Sequence, residues 1–285
     1  MRFSRSGIAA AALLGGAAAV VPAVGRTRFE RRVHRDVETL FESAALSVGR
    51  AEATAAWAAL PPPIQRHLQY AIGDAAPDIR AARLRHDGLF RTSPGASWRP
   101  IDGREYFTTA TPGFVWHARL RAAPGIWIDA RDALLHERGH MLVKLLGTIP
   151  LADARGSEID QGATLRWLAE APWFPYALIA PCVRWTPLDD RTAAATISYE
   201  GPPARAVFEV DDDGRIARLR AERYRDLGGG RAALTRWGGD YLEYREFDGF
   251  RVPTQVEVGW ELDTGWFAYA RFHVRAVDYN RTTPF

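Results

Sequence analysis

Apolar and polar residues alternate through most of the chain that follows residue 80. The alternation has a period of two, as expected for strands with one buried face, and Gly, Pro or Asp bounds each segment. In one segment, Phe114, Trp116, Ala118 and Leu120 fall on the same face. The pattern predicts antiparallel strands joined by short turns. The alternating segments are Ala82–Phe90, Arg104–Ala110, Gly113–Arg121, Ile126–Arg131, Ala193–Glu200, Ala204–Val210, Arg215–Arg223, Gln255–Glu261 and Trp266–Val277.

One segment of helical periodicity interrupts the strands. Ser157 and Asp160 have the spacing of a capping box, and Pro172 would end the helix. Its apolar stripe consists of Ile159, Ala163, Trp167 and Ala171. A helix over Ser157–Ala171 must pack on the sheet. The sequence therefore predicts a mainly β (α+β) fold, an antiparallel half-barrel of about ten strands with one capping helix, preceded by N-terminal helices.

Two helices are predicted before the strands. Charges separate apolar residues at helical spacing between Phe29 and Phe41, which is typical of an amphipathic helix that lies beside a membrane or on the domain. Its apolar residues are Phe29, Val33, Val37, Leu40 and Phe41. After Pro61–Pro63, the segment Ile64–Ile72 is predicted to form a short helix with an apolar face.

The chain begins with a membrane-directed pattern. Arg2 and Arg5 precede an uncharged run, Ile8–Val24, which is long for the core of a signal peptide and short for a span of about 20 residues. Small residues at Pro22–Gly25 suit cleavage, whereas the arginines that follow favour a retained anchor. We therefore expect a signal peptide or transmembrane anchor at 1–25, an amphipathic juxtamembrane helix and linker at 26–57, and a β domain at 58–285.

Composition and charge exclude several classes of partner and site. The formal net charge is +3, and acids interleave with the basic residues, so the sequence lacks the continuous basic face that nucleic acids require. A single cysteine, Cys182, excludes an internal disulfide and a zinc site with several thiolates. No cofactor is predicted, and no nucleophile elbow or phosphate-binding loop assigns a catalytic residue.

One short motif matches metal chemistry. His136, Glu137 and His140 satisfy the H-E-x-x-H pattern, which binds zinc when a helix brings both histidines to one ion. On a strand, residues four apart are separated by about 13 Å, too far to share a metal. Because Gly139 lies inside the motif and strands surround it, we expect an exposed hairpin with both histidines on its polar side, and we assign no metal ligand.

Aromatic residues are abundant, with ten Trp, thirteen Phe and nine Tyr. They pack a core or, if the sheet is concave, line a cavity. The candidates for a cavity wall are Trp116, Trp127, Trp167, Trp173 and Phe174. A polar cluster is expected at the start and on the outer face of the predicted helix, formed by Arg155, Glu158, Asp160, Gln161 and Arg166.

Several ordered blocks between residue 58 and the C-terminus resemble an uncharacterised bacterial family of unknown function. The strand succession with its inserted helix is similar to the LolA/LolB lipoprotein-carrier fold, and this resemblance implies an incompletely closed barrel whose concave apolar face shields acyl chains. The blocks are Leu60–Arg66, Pro112–Trp116, Asp153–Gly162, Trp173–Pro175, Asp211–Ile216, Glu222–Arg225 and Tyr244–Glu246.

The sequence favours a non-enzymatic binding domain for a lipid or another apolar ligand at the cell envelope. The domain is expected to contact the ligand and, through the N-terminal segment, the membrane. The sequence leaves open on which side of the membrane the domain lies. Two alternatives stay open, namely a zinc metalloprotease that uses His136, Glu137 and His140, and an envelope protein-interaction module.

Overall fold

Residues 5–42, 44, 56–73, 78–198 and 202–285 are described by a computed structural model, with the backbone alone for residues 5–21. The longer helices are α1 (Arg5–Glu42), α2 (Pro62–Ile72) and α3 (Ser157–Glu170). The strands are β1 (Ala81–Phe90), β2 (Arg99–Thr108), β3 (Gly113–Ala123), β4 (Ile126–Leu135), β5 (Arg138–Leu145), β6 (Ile149–Ala154), β7 (Arg184–Pro187), β8 (Thr192–Ile197), β9 (Ala204–Val210), β10 (Ile216–Gly228), β11 (Arg231–Phe247), β12 (Phe250–Leu262) and β13 (Gly265–Tyr279).

The strands of the described residues form a single antiparallel sheet of thirteen strands in the order β6-β5-β4-β3-β2-β1-β13-β12-β11-β10-β9-β8-β7. The chain makes one meander from β1 to β6, crosses through α3, and makes a second meander from β7 to β13. The two meanders join where β1 pairs with β13, with Leu84 opposite Val277. The sheet curls into a half-barrel, so the predicted fold class is confirmed, with more strands than expected.

Helix α3 packs in the concavity of this half-barrel. Trp167 and Leu168 are fully buried, and the indole Nε1 of Trp167 donates to the carbonyl oxygen of Thr108 at 2.9 Å. Two short 3₁₀ helices, Ala171–Trp173 and Pro175–Ile179, continue from α3 and add Phe174 to the same core. The predicted helix is confirmed, and together these elements fill one end of the concavity.

The predicted capping box at the start of α3 is wrong. Gly156 occupies the N-cap position, and no side chain there bonds to the first turn. Asp160 instead accepts a hydrogen bond from the backbone N–H of Gly139 at 2.6 Å and pairs with Arg138 at 3.2 Å. A Cβ at Gly139 would lie 2.6 Å from the carbonyl oxygen of Ile159, so glycine is required where α3 meets β5.

Helix α1 packs on the convex face of the sheet. Its buried apolar residues are those of the predicted amphipathic helix, which therefore lies on the domain. They contact Tyr106, Val115 and Ala133, which point away from the concavity. Helix α1 is continuous across residue 25. Among the described residues, no helix combines the length and apolarity needed to span a membrane.

Helix α2 closes the filled end of the half-barrel. It begins at Pro62, earlier than predicted, and its apolar residues Ile64, Leu68 and Ile72 are buried as expected. His67 is also fully buried, and its Nδ1 lies 2.9 Å from the carbonyl oxygen of Gly214. Burial lowers the pKa of His67 to about 4. The helix thus ties the start of the domain to the β9–β10 turn.

Each of the nine predicted strands is found, with shifted ends. Residues 199–200 of the predicted Ala193–Glu200 segment lie outside the described residues. Strands β5, β6, β7 and β11 were not predicted. In β5, both faces carry apolar residues because α1 covers Leu142 on one side while Val143 faces the concavity, and this removes the alternation that marks an exposed strand.

Candidate functional site

The two ends of the half-barrel differ. The end that contains α2 and the 3₁₀ helices is packed. At the other end, five turns between successive strands surround the concavity, because antiparallel pairing brings them to the same end of the sheet. These turns are 91–98, 124–125, 146–148, 229–230 and 263–264. We call this second end the rim.

An apolar surface runs along the concave face beside the rim, and we call it the trough. Nine residues form it in two lateral rows, because register places them opposite one another on adjacent strands. The row nearer the rim is Gly88, Ile101, Leu120, Ile128 and Leu145, and the next row is Gly103, Ala118, Ala130 and Val143. None of the nine carries a charge or a polar side chain, so the trough offers only apolar contacts.

The trough is accessible in part. Leu120, Ile128, Ala130, Val143 and Leu145 are only half-buried, although they point to the concave side. The residues at the centre of the second row have short side chains, so little of the concave face is covered there. The row nearer the rim crosses five strands and spans roughly 19 Å, at about 4.8 Å between strands. The trough therefore presents apolar surface that the protein's own core covers only in part.

Aromatic residues flank the trough at the β1–β13 seam. Phe90, Trp260, Tyr269 and Phe272 are half-buried and pack at the edge of the main core. The ring centroids of Phe90 and Tyr269 are 5.8 Å apart in an edge-to-face arrangement, and the indole Nε1 of Trp237 donates to the Tyr269 hydroxyl at 3.0 Å. This wall is rigid, because its rings contact one another as well as the sheet.

A buried ionic cluster lies on the inner side of the trough, under α3. The guanidinium of Arg166 contacts Glu105 at 2.7 Å, Glu170 at 2.9 Å and Asp132 at 3.0 Å. It also stacks on Trp116, with 4.6 Å between Cζ and the ring centroid. One cation and three carboxyl groups thus hold the helix on β2 and β4.

The cluster sets the protonation of its members. Burial, aided by the neighbouring Glu170 and Asp132, raises the pKa of Glu105 well above its usual range. Burial also raises the pKa of Glu170, which Arg166 opposes. For Arg166, burial is outweighed by the three carboxyl groups, so its pKa is raised and it stays charged. Since a single cation cannot offset three buried anions, the cluster favours the neutral form of Glu105.

His86 links the cluster to the trough. Its Nε2 accepts a hydrogen bond from the indole Nε1 of Trp116 at 2.8 Å, and its ring lies over Gly103 in the floor. A Cβ at Gly103 would lie 2.1 Å from that nitrogen. Burial, with the nearby charge of Arg166, lowers the pKa of His86 to about 3. The imidazole is therefore neutral beside the trough.

Four of the five residues predicted to line a cavity are brought together. Trp116, Trp167, Trp173 and Phe174 are buried in the main core, where Trp167 and Phe174 pack with ring centroids 5.8 Å apart. They fill the concavity inward of the trough. Trp127 lies apart at the rim, where Arg119 and Arg121 stack on its indole.

The predicted polar cluster divides into two parts. Arg155 and Glu158 are exposed near the start of α3, whereas Asp160 and Gln161 are buried. Gln161 donates from Nε2 to the carbonyl oxygen of Glu222 at 3.1 Å. The prediction that Arg166 lies on the outer face of the helix is wrong, since its side chain points inward to three carboxyl groups.

The H-E-x-x-H motif forms the β4–β5 hairpin, as the strand interpretation predicts. His136 and Glu137 are the two turn residues, with φ of 50° and 62°, because Leu135 pairs directly with Arg138. The geometry contradicts a zinc protease, which requires the motif on a helix. Among the described residues, no group of three or more His, Cys, Asp or Glu could hold a metal ion.

His140 corrects the expectation that both histidines are exposed. Its ring is buried, with Nε2 at 2.8 Å from Asp153 and Nδ1 accepting from Arg131 at 2.7 Å. Arg131 in turn pairs with Asp36 of α1 at 2.9 Å. This polar chain fastens α1 to β4, β5 and β6.

A second cavity, of about 640 Å³, lies between α1 and the convex face. Its walls carry charged side chains from both elements, including Arg26, Glu30, Arg85, Asp102 and Arg104. A charged groove is a poor environment for an apolar ligand, because its side chains would lose hydration without gaining polar partners. The trough is therefore the better candidate for the ligand expected from the sequence.

Comparisons with known proteins give a family and assign no activity. Residues 50–272 match a family of unknown function, DUF6544. No curated protein matches the chain. Among solved structures, the chain is similar to a domain assigned as an outer membrane lipoprotein-sorting protein from Vibrio parahaemolyticus, with 11% identity, a TM-score of 0.42, and coverage of 76% of this chain and 91% of that one.

Two further solved structures are similar. One is a LolA superfamily protein from Nitrosomonas europaea, with 10% identity, a TM-score of 0.42, and coverage of 76% of this chain and 94% of that one. The other is a DUF1329 family protein from Desulfovibrio piger, with 14% identity, a TM-score of 0.40, and coverage of 80% and 93%. The expected resemblance to an uncharacterised family of unknown function is confirmed.

Proposed function

The chain belongs to DUF6544, a family of unknown function, and we propose that its domain is a non-enzymatic binding module that holds an acyl chain or a similar apolar ligand in the trough. The observation that carries the proposal is the trough itself, nine uncharged positions on the concave face of which six, Gly88 included, are half-buried. An apolar face of this extent stays open to water only at a cost, which a ligand would remove.

The expected affinity follows from the buried area. Each methylene transferred from water contributes about 0.8 kcal/mol, so about ten methylenes supply ~8 kcal/mol, the free energy of micromolar binding before the cost of association. The first trough row is long enough to cover such a chain. The nearest ionisable groups are a neutral imidazole and a closed ionic cluster, so the ligand's apolar part supplies most of the contact.

The binding test uses the full chain and a fluorescent fatty acid whose emission rises in an apolar site. Ala130→Trp places an indole on the floor of the trough, and we expect it to weaken binding at least about tenfold, or about 1.4 kcal/mol. Leu242→Trp adds the same side chain on the exposed convex face and should leave binding unchanged. Equal affinity in the two variants, or a wild-type protein that does not bind, would remove the trough as the site.

We place this function at the cell envelope, as a membrane-anchored or exported protein. The support is the N-terminal pattern, in which an uncharged run follows two arginines. Fractionation of cells and the mass of the mature chain test this, since a species beginning near Arg26 in the exported fraction indicates a cleaved signal. A full-length chain in a soluble cytoplasmic fraction would contradict an envelope location.

A further inference from the structure

Exposed aliphatic side chains concentrate at the rim. Among the described residues, eight large hydrophobic side chains are exposed, and six of these lie at this end of the half-barrel. Leu188 lies at the opposite end, in the β7–β8 turn, and Leu242 lies on the convex face. The six at the rim are Val24, Ile126, Ile149, Leu151, Leu227 and Leu234. Scattered apolar residues are ordinary on a protein surface, but a group at one end marks a contact surface.

Tryptophan side chains with stacked arginines accompany them. Arg91 and Arg271 lie over Trp98 in the β1–β2 loop, at 4.4 and 4.7 Å from the ring centroid. Trp127, at the start of β4, carries Arg121 at 5.0 Å. An indole with an adjacent guanidinium suits the boundary between hydrocarbon and lipid headgroups, where the ring is apolar and the cation meets phosphate.

The hairpin of β10 and β11 extends the rim outward. Strand β12 pairs with β11 only as far as Trp237, and β9 pairs with β10 only as far as Ala221. Within the described part of the chain, the last part of the hairpin therefore has no neighbours in the sheet. Its tip is the turn at 228–230, three glycines with positive φ. Leu227 and Leu234 are 44% and 51% exposed on this projection. A two-stranded hairpin alone is marginally stable in water, and a surface that covers its leucines would stabilise it.

Helix α1 leaves the domain at the rim. Gly25 packs against the β5–β6 turn so closely that a Cβ there would lie 2.0 Å from Oγ1 of Thr148. The uncharged run Ile8–Val24 precedes this contact directly, within the same helix. The segment with the strongest preference for a membrane is therefore attached at the end of the half-barrel that carries the exposed aliphatic and tryptophan side chains.

We propose that the rim is a docking surface for a phospholipid bilayer, with its turns and the β10–β11 hairpin entering the headgroup layer. This inference stands without the proposed ligand, because it rests on the convergence of the exposed residues, the tryptophan–arginine pairs and the exit of α1. If both are correct, the trough opens directly onto the membrane, and an apolar ligand passes between them without crossing water.

The experiment places an environment-sensitive fluorophore at single cysteines in the full chain. Cys182→Ala supplies a background without other thiols. Ile149→Cys and Leu227→Cys test two separate parts of the rim. Leu188→Cys and Leu242→Cys are matched controls, because these leucines have similar exposure and lie away from the rim. Each labelled protein is reconstituted in vesicles of phosphatidylcholine and phosphatidylglycerol, with and without lipids that carry a quencher in the acyl chain.

We expect blue-shifted emission and strong quenching at positions 149 and 227, and neither effect at 188 and 242. Circular dichroism checks that the four variants keep the wild-type fold, which surface substitutions should allow. Rim labels that are quenched no more than the control at 188 would overturn the proposal, whether all labels are quenched or none is. Fatty-acid binding in the trough with unquenched rim labels would separate the failure of this inference from that of the proposed function.

Discussion

Replacing Arg166 by methionine tests whether the buried ionic cluster holds α3 in the half-barrel. The guanidinium is the cation that contacts Glu105, Asp132 and Glu170, and its side chain is only 12% exposed. Methionine keeps most of the apolar stem but leaves three buried carboxyl groups without a counter-charge. Removing one partner of a buried ion pair destabilises a protein by 3–5 kcal/mol, mainly because the remaining charge is buried and unpaired. We expect a loss of about 4 kcal/mol at neutral pH.

The measurement is urea unfolding followed by tryptophan fluorescence, at several pH values. The unpaired carboxylates of the variant can escape the cost of burial by taking up protons, so the loss should shrink as the pH falls from 8 to 5. Arg191→Met is the control, because Arg191 pairs with Asp212 on the surface and its side chain is 59% exposed. That exposed pair should contribute less than about 1 kcal/mol.

A loss below about 1 kcal/mol for Arg166→Met, or one that does not change with pH, would refute the reasoning. The first result would mean that water reaches the cluster in place of the guanidinium. The second would mean that the three carboxyl groups are already neutral in the wild-type protein. A fourfold variant that also carries Glu105→Gln, Asp132→Asn and Glu170→Gln should recover most of the stability, since it removes the buried charge with its partner.

Three further predictions concern protonation and the docking of α1. The folded-state pKa of Glu105 is raised, so the stability that this carboxyl group contributes is present below pH 4.5 and is lost as the pH rises through the folded-state pKa. The variant Glu105→Gln should therefore be more stable than the wild type between pH 6 and 9. Urea unfolding that shows no gain in stability would contradict this. The pKa of His86 is lowered to about 3, so the imidazole should stay neutral and its NMR resonances should not move between pH 7.5 and 4.5. The stability that His86 contributes is present above pH 6.5 and falls as the pH drops toward 3. A titration midpoint near 6.5 would contradict the burial of this ring. Phe29→Ala should lower the free energy of unfolding by about 3 kcal/mol and raise the rate of hydrogen exchange in residues 26–42. Arg28→Ala, at an exposed position of the same helix, should do neither. Equal effects of the two substitutions would show that α1 does not pack through Phe29.

Period-two alternation predicts those strands whose two faces meet different surroundings. In β3, Phe114 and Trp116 face the main core while His117 and Arg119 face the convex side, so the pattern is complete. It fails in β5, where α1 covers the convex face, and in β11, where Glu243 takes a positive φ within the strand. The predictable part of the fold is thus the part whose second face carries polar side chains.

The candidate site was less predictable because it depends on register across strands. Gly103, Ala118 and Ala130 are separated along the chain and become neighbours only when β2, β3 and β4 pair. Each is a common small residue that carries no signal alone. The aromatic residues gave a stronger signal, but large rings fill a concavity more readily than they border one. Arg166 was misplaced because nothing in the helix sequence shows that Glu105 and Asp132 of the sheet lie on its inner side.

The pairing of β1 with β13 has a consequence for how the chain folds. Each meander consists of hairpins between neighbouring strands, so its contacts are local and can form early. The seam instead joins residues almost 200 positions apart, such as Leu84 and Val277. During synthesis β1 therefore remains an open edge until the last strand emerges, and such edges pair readily with other chains. Closure of the seam should be the slow step of folding, and a holding chaperone that covers β1 would act in that interval.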